Sequence, residues 1–251
     1  MIDFSVRSAT AELMDAPDIP TAELYRTLDE LTVINTTLGG YRPSLLGIRQ
    51  LLPRQARQLR LLDVGTGGGD LPRKLLAWAT RRGIDARVLG VDLLPSAIDY
   101  AREKSAGSTQ LEFESVDVHD LDDGDRFDIA HTALTLHHFD NEHAPTLLAK
   151  MYALSRWGII VNDLHRHPVA YCSIRTLTTL LSRSRLIKND APLSVLRAFR
   201  KHELMALVEA AGLPLPEISW HWAFRWLVVI RKPDTKPPTE QIKSVPMDRE
   251  S

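Results

Sequence analysis

The chain has a single cysteine, Cys172, among 251 residues. That excludes an internal disulfide framework, a cysteine-rich zinc site and a CxxC redox pair, and it fits a reducing cytoplasm. Charge of one sign is also missing, because 31 Lys and Arg stand against 32 Asp and Glu for a formal net charge of -1. Without a basic excess there is little to hold a phosphate backbone, so nucleic acid is not an expected partner. No apolar run approaches the roughly 20 residues of a membrane span, and Met1–Ala16 carries acids and no apolar core. The expectation is a cytoplasmic chain with no membrane span. What is present, 44% hydrophobic and 25% charged residues, is the balance of a globular protein with one sizeable core.

Residues 1–20 are mixed and polar, with Pro17 and Pro20, and are expected to be a flexible surface segment. Thr21 then opens a helix with Leu24, Leu28 and Leu31 at helical spacing, ending at Gly39-Gly40, and Pro43 starts a second. From Arg60 onward short apolar runs alternate with longer helical patterns, the signature of a parallel α/β sheet. The strands are read at Arg60–Val64, Arg87–Asp92, Leu111–Val116, Phe127–His131 and Gly158–Asn162. Helices are read at Leu71–Arg82, Pro95–Ser105, Asn141–Leu154, Arg166–Leu186 and Ser194–Ala211. Two aromatic and β-branched runs, Glu217–Trp222 and Phe224–Arg231, predict a hairpin at a sheet edge. The tail 233–251 has four prolines and little to bury, so disorder is expected there. The organisation is one domain over 21–232, without internal repeats.

The most informative segment is Leu61-Leu62-Asp63-Val64-Gly65-Thr66-Gly67-Gly68-Gly69-Asp70, an apolar strand entering a glycine turn that opens a helix. Glycines at 65, 67 and 69 let the backbone turn sharply and a ligand approach it. A dinucleotide fold wants Gly-x-Gly-x-x-Gly with a pyrophosphate at the helix start. Here the third position is Asp70, and Asp63 adds further negative charge, which repels a pyrophosphate and suits a cation. S-adenosylmethionine, a sulfonium with an ammonium group, fits that charge. A dinucleotide oxidoreductase remains the competing reading, because an acid some 20 residues on, Asp92, serves both folds.

Asp63-x-Gly65-x-Gly67-x-Gly69 resembles the glycine motif of class I S-adenosylmethionine-dependent methyltransferases. Val88-Leu89-Gly90-Val91-Asp92, Phe113 to Asp120, and Phe127 to Phe139 are similar to the segments that follow, the last as in the small-molecule branch related to ubiquinone and menaquinone biosynthesis. The resemblance covers about residues 21–232. It implies a Rossmann-like α/β fold: a seven-stranded, mainly parallel sheet of order 3-2-1-4-5-7-6, with an N-terminal helical cover and a helical lid over about 166–195. It also implies a cofactor site of Asp63, Gly65, Thr66, Gly67 and Gly69, with Asp92 and the adjoining Leu93 at the ribose. Asp117 and Val118 would meet the adenine, and His131 and Thr132 the methionine end. Asn35 and Arg42, in the Asn35–Arg42 run, would cover the carboxylate.

Methyl transfer to a hydroxyl needs alignment, desolvation and removal of a proton, for which histidine has the best matched pKa. His137 and His138 follow the fourth strand, and His165 and His167 the fifth, at strand ends where open α/β sheets place ligands. These four are the candidate catalytic residues. In family terms, no Asn/Asp-Pro-Pro-Tyr/Phe run and no Pro-Cys pair is present, which argues against base N-methylation and pyrimidine C5 chemistry. No metal is expected, because the fourth strand ends in His131 where the metal-dependent catechol type wants a carboxylate. An apolar lid over Val169–Leu186 implies an apolar or aromatic small-molecule acceptor, with Arg183, Arg185 and Lys188 a solvated face. The leading reading is O-methylation of a hydroxylated aromatic or polyketide-like molecule. C-methylation of a quinol ring and a non-catalytic cofactor-binding module are the alternatives. Trp220, His221, Trp222, Phe224 and Trp226 lie in the terminal hairpin, where alternating residues face the core and their neighbours a homodimer contact or solvent.

Overall fold

The computed structural model describes residues 2–16, 19–122 and 127–233. The expected disordered tail lies, beyond Pro233, outside these residues. Seven strands form one sheet: β1 (Gln58–Val64), β2 (Asp85–Asp92), β3 (Leu111–Ser115), β4 (Phe127–Ala133), β5 (Ser155–Leu164), β6 (Glu217–His221) and β7 (Arg225–Arg231). Their spatial order is β3-β2-β1-β4-β5-β7-β6, as expected. The first five strands pair in parallel, and β7 runs antiparallel to both β5 and β6. β1, β4 and β5 are almost wholly buried because helices cover both faces, which is why they read as continuous apolar runs.

One face packs on α5 (His143–Leu154) and α8 (Lys201–Ala210), through Leu147, Leu148, Met151, Leu204 and Val208. The other packs on α2 (Arg42–Leu51), α3 (Asp70–Thr80) and α4 (Pro95–Lys104), through Ile48, Leu75, Trp78 and Ile98. Helix α1 (Thr21–Thr37) sets Leu24 and Leu28 against Tyr100 of α4. Pro43 sits in the first turn of α2, where its missing N–H is harmless. Gly47 brings α2 onto the sheet, since a Cβ there would come within 2.9 Å of Ile160.

The region read as two helices, 166–186 and 194–211, holds three: α6 (Pro168–Leu181), α7 (Arg185–Arg197) and α8. Ser184 starts α7 by accepting the Ile187 N–H, and a capping box between Arg200 and Glu203 starts α8. Between α7 and α8 the chain is extended, and Phe199 bridges to His165. Tertiary pairing therefore cuts a stretch whose apolar periodicity alone is continuous. Leu180 and Leu181, placed by spacing on an apolar face of the lid, are exposed. Arg185 of the basic run pairs with Glu23 of α1 at 2.7 Å in an exposed position. Among the described residues no helix is long and apolar enough to cross a membrane.

Candidate functional site

The carboxyl ends of β1, β2, β4 and β5 converge on the glycine turn. Gly65 N–H and Thr66 N–H both donate to Val91 O, at 2.9 and 3.0 Å, which ties the turn to β2. Gly65, Gly67 and Gly69 all have positive φ. A Cβ at Gly65 would strike Thr135, and one at Gly69 would strike Phe113, so these two glycines serve packing. A Cβ at Gly67 would meet nothing within 4 Å. That open backbone, with the Asp92 carboxylate beside it, is a cradle of the kind a nucleoside-containing ligand needs. Asp92 closes β2 and accepts the N–H groups of Gly67 at 2.8 Å and Leu94 at 3.0 Å, while burial raises its pKa above the usual range. Leu93 next to it is exposed.

Below the turn runs a buried polar chain. Asp63 accepts the Thr66 hydroxyl at 2.7 Å and His131 Nδ1–H at 2.7 Å. His131 Nε2 is 2.9 Å from the Ser44 hydroxyl, and the Asn162 side-chain amide donates to both Ser44 Oγ and Gly40 O at 2.8 Å. Thr132 donates to Val64 O. Asp63, His131 and Thr132 are all buried, and their polar groups are taken up by these bonds. The structure thus places three of the residues implied for the cofactor inside the sheet edge, where they brace the glycine turn against α2 and β5. Sequence motifs mark such residues without showing which way they face.

On the cover side, Arg42 is exposed, whereas Arg225 of β7 is buried at the same corner. Arg225 donates to Asn35 Oδ1 at 2.9 Å and lies where a Cβ on Gly40 would fall. Burial lowers its pKa to about 10, with Asp163, Tyr41 and Asp70 pulling the other way. Tyr41 donates its hydroxyl to Asp70, and burial with that carboxylate raises the tyrosine's pKa. Arg225 shares a face of β7 with Leu227 and Val229, and unlike Arg231 at the other end of that face it is buried. On the far side of the cradle, Asp117 accepts the N–H of His119 at 2.9 Å, capping its own short turn, and Val118 is buried behind it.

The four candidate histidines separate into two pairs. His165 and His167 lie in an aromatic wall: His165 has its ring 4.7 Å from Trp226 and 5.4 Å from His167, which stacks on Phe224 at 5.3 Å. His167 Nδ1 accepts the Val169 N–H and so starts α6. His165 Nδ1 is buried with no hydrogen-bond partner among the described residues. Burial, reinforced by the charges of His167, Arg200 and Arg166, lowers its pKa to about 4.

His137 and His138 lie in an acidic setting that the sequence did not reveal. A short 3-10 turn, Leu136–His138, follows β4, and His137 Nδ1 is 2.7 Å from Asp163, whose other oxygen accepts the His137 N–H. Glu12 and Asp15 arrive from the N-terminus, at 3.6 Å from His137 Nε2 and 3.0 Å from His138 Nδ1. The segment expected to be flexible is laid across the strand ends by many bonds. Arg7 donates to the carbonyls of Arg197, His137 and Phe139, and Asp190 accepts the N–H groups of Leu13 and Met14. No periodicity or motif announces Glu12, which meets residues more than a hundred positions later.

Burial alone would lower the pKa of His137, but Asp163 and Glu12 hold it up at about 9. Because this lies above the unfolded value near 6.5, the stability it contributes is complete below that value and is lost as pH rises through about 9. Asp163 is shifted down by the same pair, so its share is present above its unfolded pKa and lost in acid. We expect Tm to fall between pH 7 and 10, and the fall to shrink in His137→Gln. An equal alkaline fall in both proteins, followed by calorimetry, would remove the pair from the account.

Residues 61–158 match a family described as methyltransferase domain. The malonyl-[acyl-carrier protein] O-methyltransferase of Acetivibrio thermocellus is 28% identical over 110 residues, which is 44% of this chain and 37% of that protein. Human N-acetylserotonin methyltransferase in complex with SAM superimposes with a TM-score of 0.60 at 19% identity, over 85% of this chain and 56% of that one. A SAM-dependent methyltransferase from Aquifex aeolicus gives a TM-score of 0.60 at 15% identity, over 85% and 99%. The chain thus spans little more than a third of its curated relative and just over half of the human enzyme. The strand order, the open Gly67 cradle and these likenesses agree: residues 61–158 match the methyltransferase-domain family, and the chain has the fold of class I S-adenosylmethionine-dependent methyltransferases.

Proposed function

We propose that this protein is a cytoplasmic, S-adenosylmethionine-dependent methyltransferase that methylates a hydroxyl of an aromatic or polyketide-like small molecule. The cofactor, when bound, supplies an electrophilic methyl group on a sulfonium. Gly67 offers it open backbone, Asp92 a carboxylate for ribose hydroxyls, and Val118 an apolar neighbour for the adenine, with Asp117 beside it. The Asn35–Arg225 pair closes the cover side, where Arg225 is better enclosed than Arg42 to meet a carboxylate.

The observation that carries the O-methylation reading is His165. A buried imidazole nitrogen without a partner costs about 1–3 kcal/mol unless something bonds to it. Here it lies among Trp226, His167 and Phe224, faces that suit an aromatic ring. An acceptor hydroxyl satisfies it, and the neutral ring takes the proton as the methyl moves. His137 is held cationic at neutral pH by Asp163 and so is a poor base. The name of the curated relative, an O-methyltransferase, supports the same chemistry.

A screen of phenols, quinols and polyketides with labelled cofactor tests the reading. His165→Ala is expected to lower kcat by about 10²–10⁴ with cofactor affinity unchanged. Wild-type activity should hold its plateau down to about pH 5, since His165 protonates only near 4. Methylation at ring carbon, or full activity in His165→Ala, would replace O-transfer with the quinol alternative.

A further inference from the structure

The two histidines that follow β4 share an arrangement that proton transfer does not require. Each has its Nδ1 held by a carboxylate, His137 by Asp163 at 2.7 Å and His138 by Asp15 at 3.0 Å. Each then has its Nε2 near one further carboxylate, Glu12, at 3.6 Å from Oε1 and 3.9 Å from Oε2. The three groups bring one ligand atom apiece within 4.8 Å of one another. His137 Nε2 is buried and has no hydrogen-bond partner among the described residues, although its ring is only 2% exposed. A polar atom so enclosed, aimed at a carboxylate yet too far to bond it well, is a position that a metal ion can take by displacing the ring proton.

We propose that Glu12, His137 and His138 bind a divalent transition-metal ion, zinc or one of its neighbours, which latches the N-terminal segment over the carboxyl ends of β4 and β5. Two imidazoles and one carboxylate are the donor set of zinc and non-haem iron sites, and nitrogen ligands select against magnesium and calcium. Metal-bound histidines nearly always give their other ring N–H to a carboxylate, as both do here. Bonds of about 2.0–2.2 Å to one ion put neighbouring ligand atoms a little over 3 Å apart, so the widest separation must close by up to about 1.5 Å, a rotamer adjustment of Glu12 and His138, to complete the site.

Charge agrees. Glu12, Asp15 and Asp163 face the histidines from three directions, against Arg197, 3.9 Å from Glu12 and 3.7 Å from Asp15, and Arg7, which donates to the His137 carbonyl. The site joins positions 12 and 137 of the chain, so the ion closes a long loop and further fixes a segment that Arg7, Arg166, Arg197 and Asp190 also hold. The sequence-based expectation of no metal weighed only the strand ends, and Glu12 comes from neither. The inference stands apart from the proposed methyl transfer, and its test reads metal directly.

The full chain, free of any histidine tag and stripped with a chelator, is titrated with zinc against a chromophoric chelator, and separately with cobalt(II). One ion per chain at micromolar or lower free concentration is expected, with the visible cobalt bands of a four- or five-coordinate nitrogen and oxygen site. Glu12→Gln and His138→Ala should each weaken binding on the order of 100-fold, and Asp15→Asn by about 10-fold. His138 is partly exposed, so its variant tests the site even if Glu12→Gln folds poorly, and circular dichroism checks both. Zinc should also slow tryptic cleavage at Arg7. No uptake by the wild type, equal uptake in both variants, or cleavage at Arg7 unchanged by bound zinc would overturn the latch.

Discussion

Replacing Asp92 with alanine is expected to weaken S-adenosylmethionine binding at least a hundredfold while leaving the fold intact. Asp92 braces the turn through the Gly67 N–H and its own loop through the Leu94 N–H, and in the proposed complex its oxygens also receive ribose hydroxyls. Hydrogen bonds to a charged group contribute about 1.5–3 kcal/mol each. Losing two costs about 3–6 kcal/mol, or two to four decades in affinity. The two backbone bonds lost are offset in part by removing a carboxylate from a buried setting, so the fold is expected to survive. Asp117 is the contrast. Its carboxylate already caps its own turn, so Asp117→Ala should cost at most about one neutral hydrogen bond's worth, roughly tenfold. Calorimetry with S-adenosylmethionine, S-adenosylhomocysteine and NAD, on wild type and both variants, checks this. Binding of NAD alone would return the glycine turn to the dinucleotide reading.

Much of this was legible because local rules and tertiary structure agree. The glycine turn is written in residues that only one backbone path tolerates, and the strands between β1 and β5 are apolar runs bounded by turn chemistry. The strand order came from resemblance, and the sheet follows it. Where local and long-range forces diverge, the sequence misleads. Asp63 and His131 carry the chemistry of ligands, and within the chain they bond to each other and to Thr66 and Ser44, a link visible only in the pairing of β1 with β4. Asp163 lies one residue beyond the strand read as Gly158–Asn162, because β7 keeps pairing past the apolar run and carries β5 on to Leu164. Glu12, Asp15 and Arg7 were invisible as site residues. A segment without periodicity gives no hint of where side-chain bonds will anchor it.

That anchoring makes Arg166→Met the substitution with the largest expected effect on stability. Arg166 sits in the run between the two aromatic-wall histidines, but its side chain turns away from them and is fully buried. All five guanidinium N–H groups are used: Nε to Phe4 O, Nη1 to Ala198 O and Glu203, Nη2 to Ser5 O and Glu203. One side chain therefore joins β5, the chain between α7 and α8, the first turn of α8 and the N-terminal segment. Methionine fills similar volume but strands the Ser5 and Ala198 carbonyls, leaves Phe4 O to Arg200 alone and removes the charged partner of Glu203. Breaking a buried ion pair from one side costs about 3–5 kcal/mol, a drop in Tm of about 10 °C for a chain of this size. Lysine should not rescue it, because three donors on a point charge cannot reach four separate acceptor groups arranged for a planar fork. The N-terminal segment should loosen first, so trypsin ought to cut at Arg7 in Arg166→Met under conditions that spare the wild type. A Tm within a degree or two of wild type, with Arg7 still protected, would mean that Arg7 and Asp190 hold the segment without Arg166.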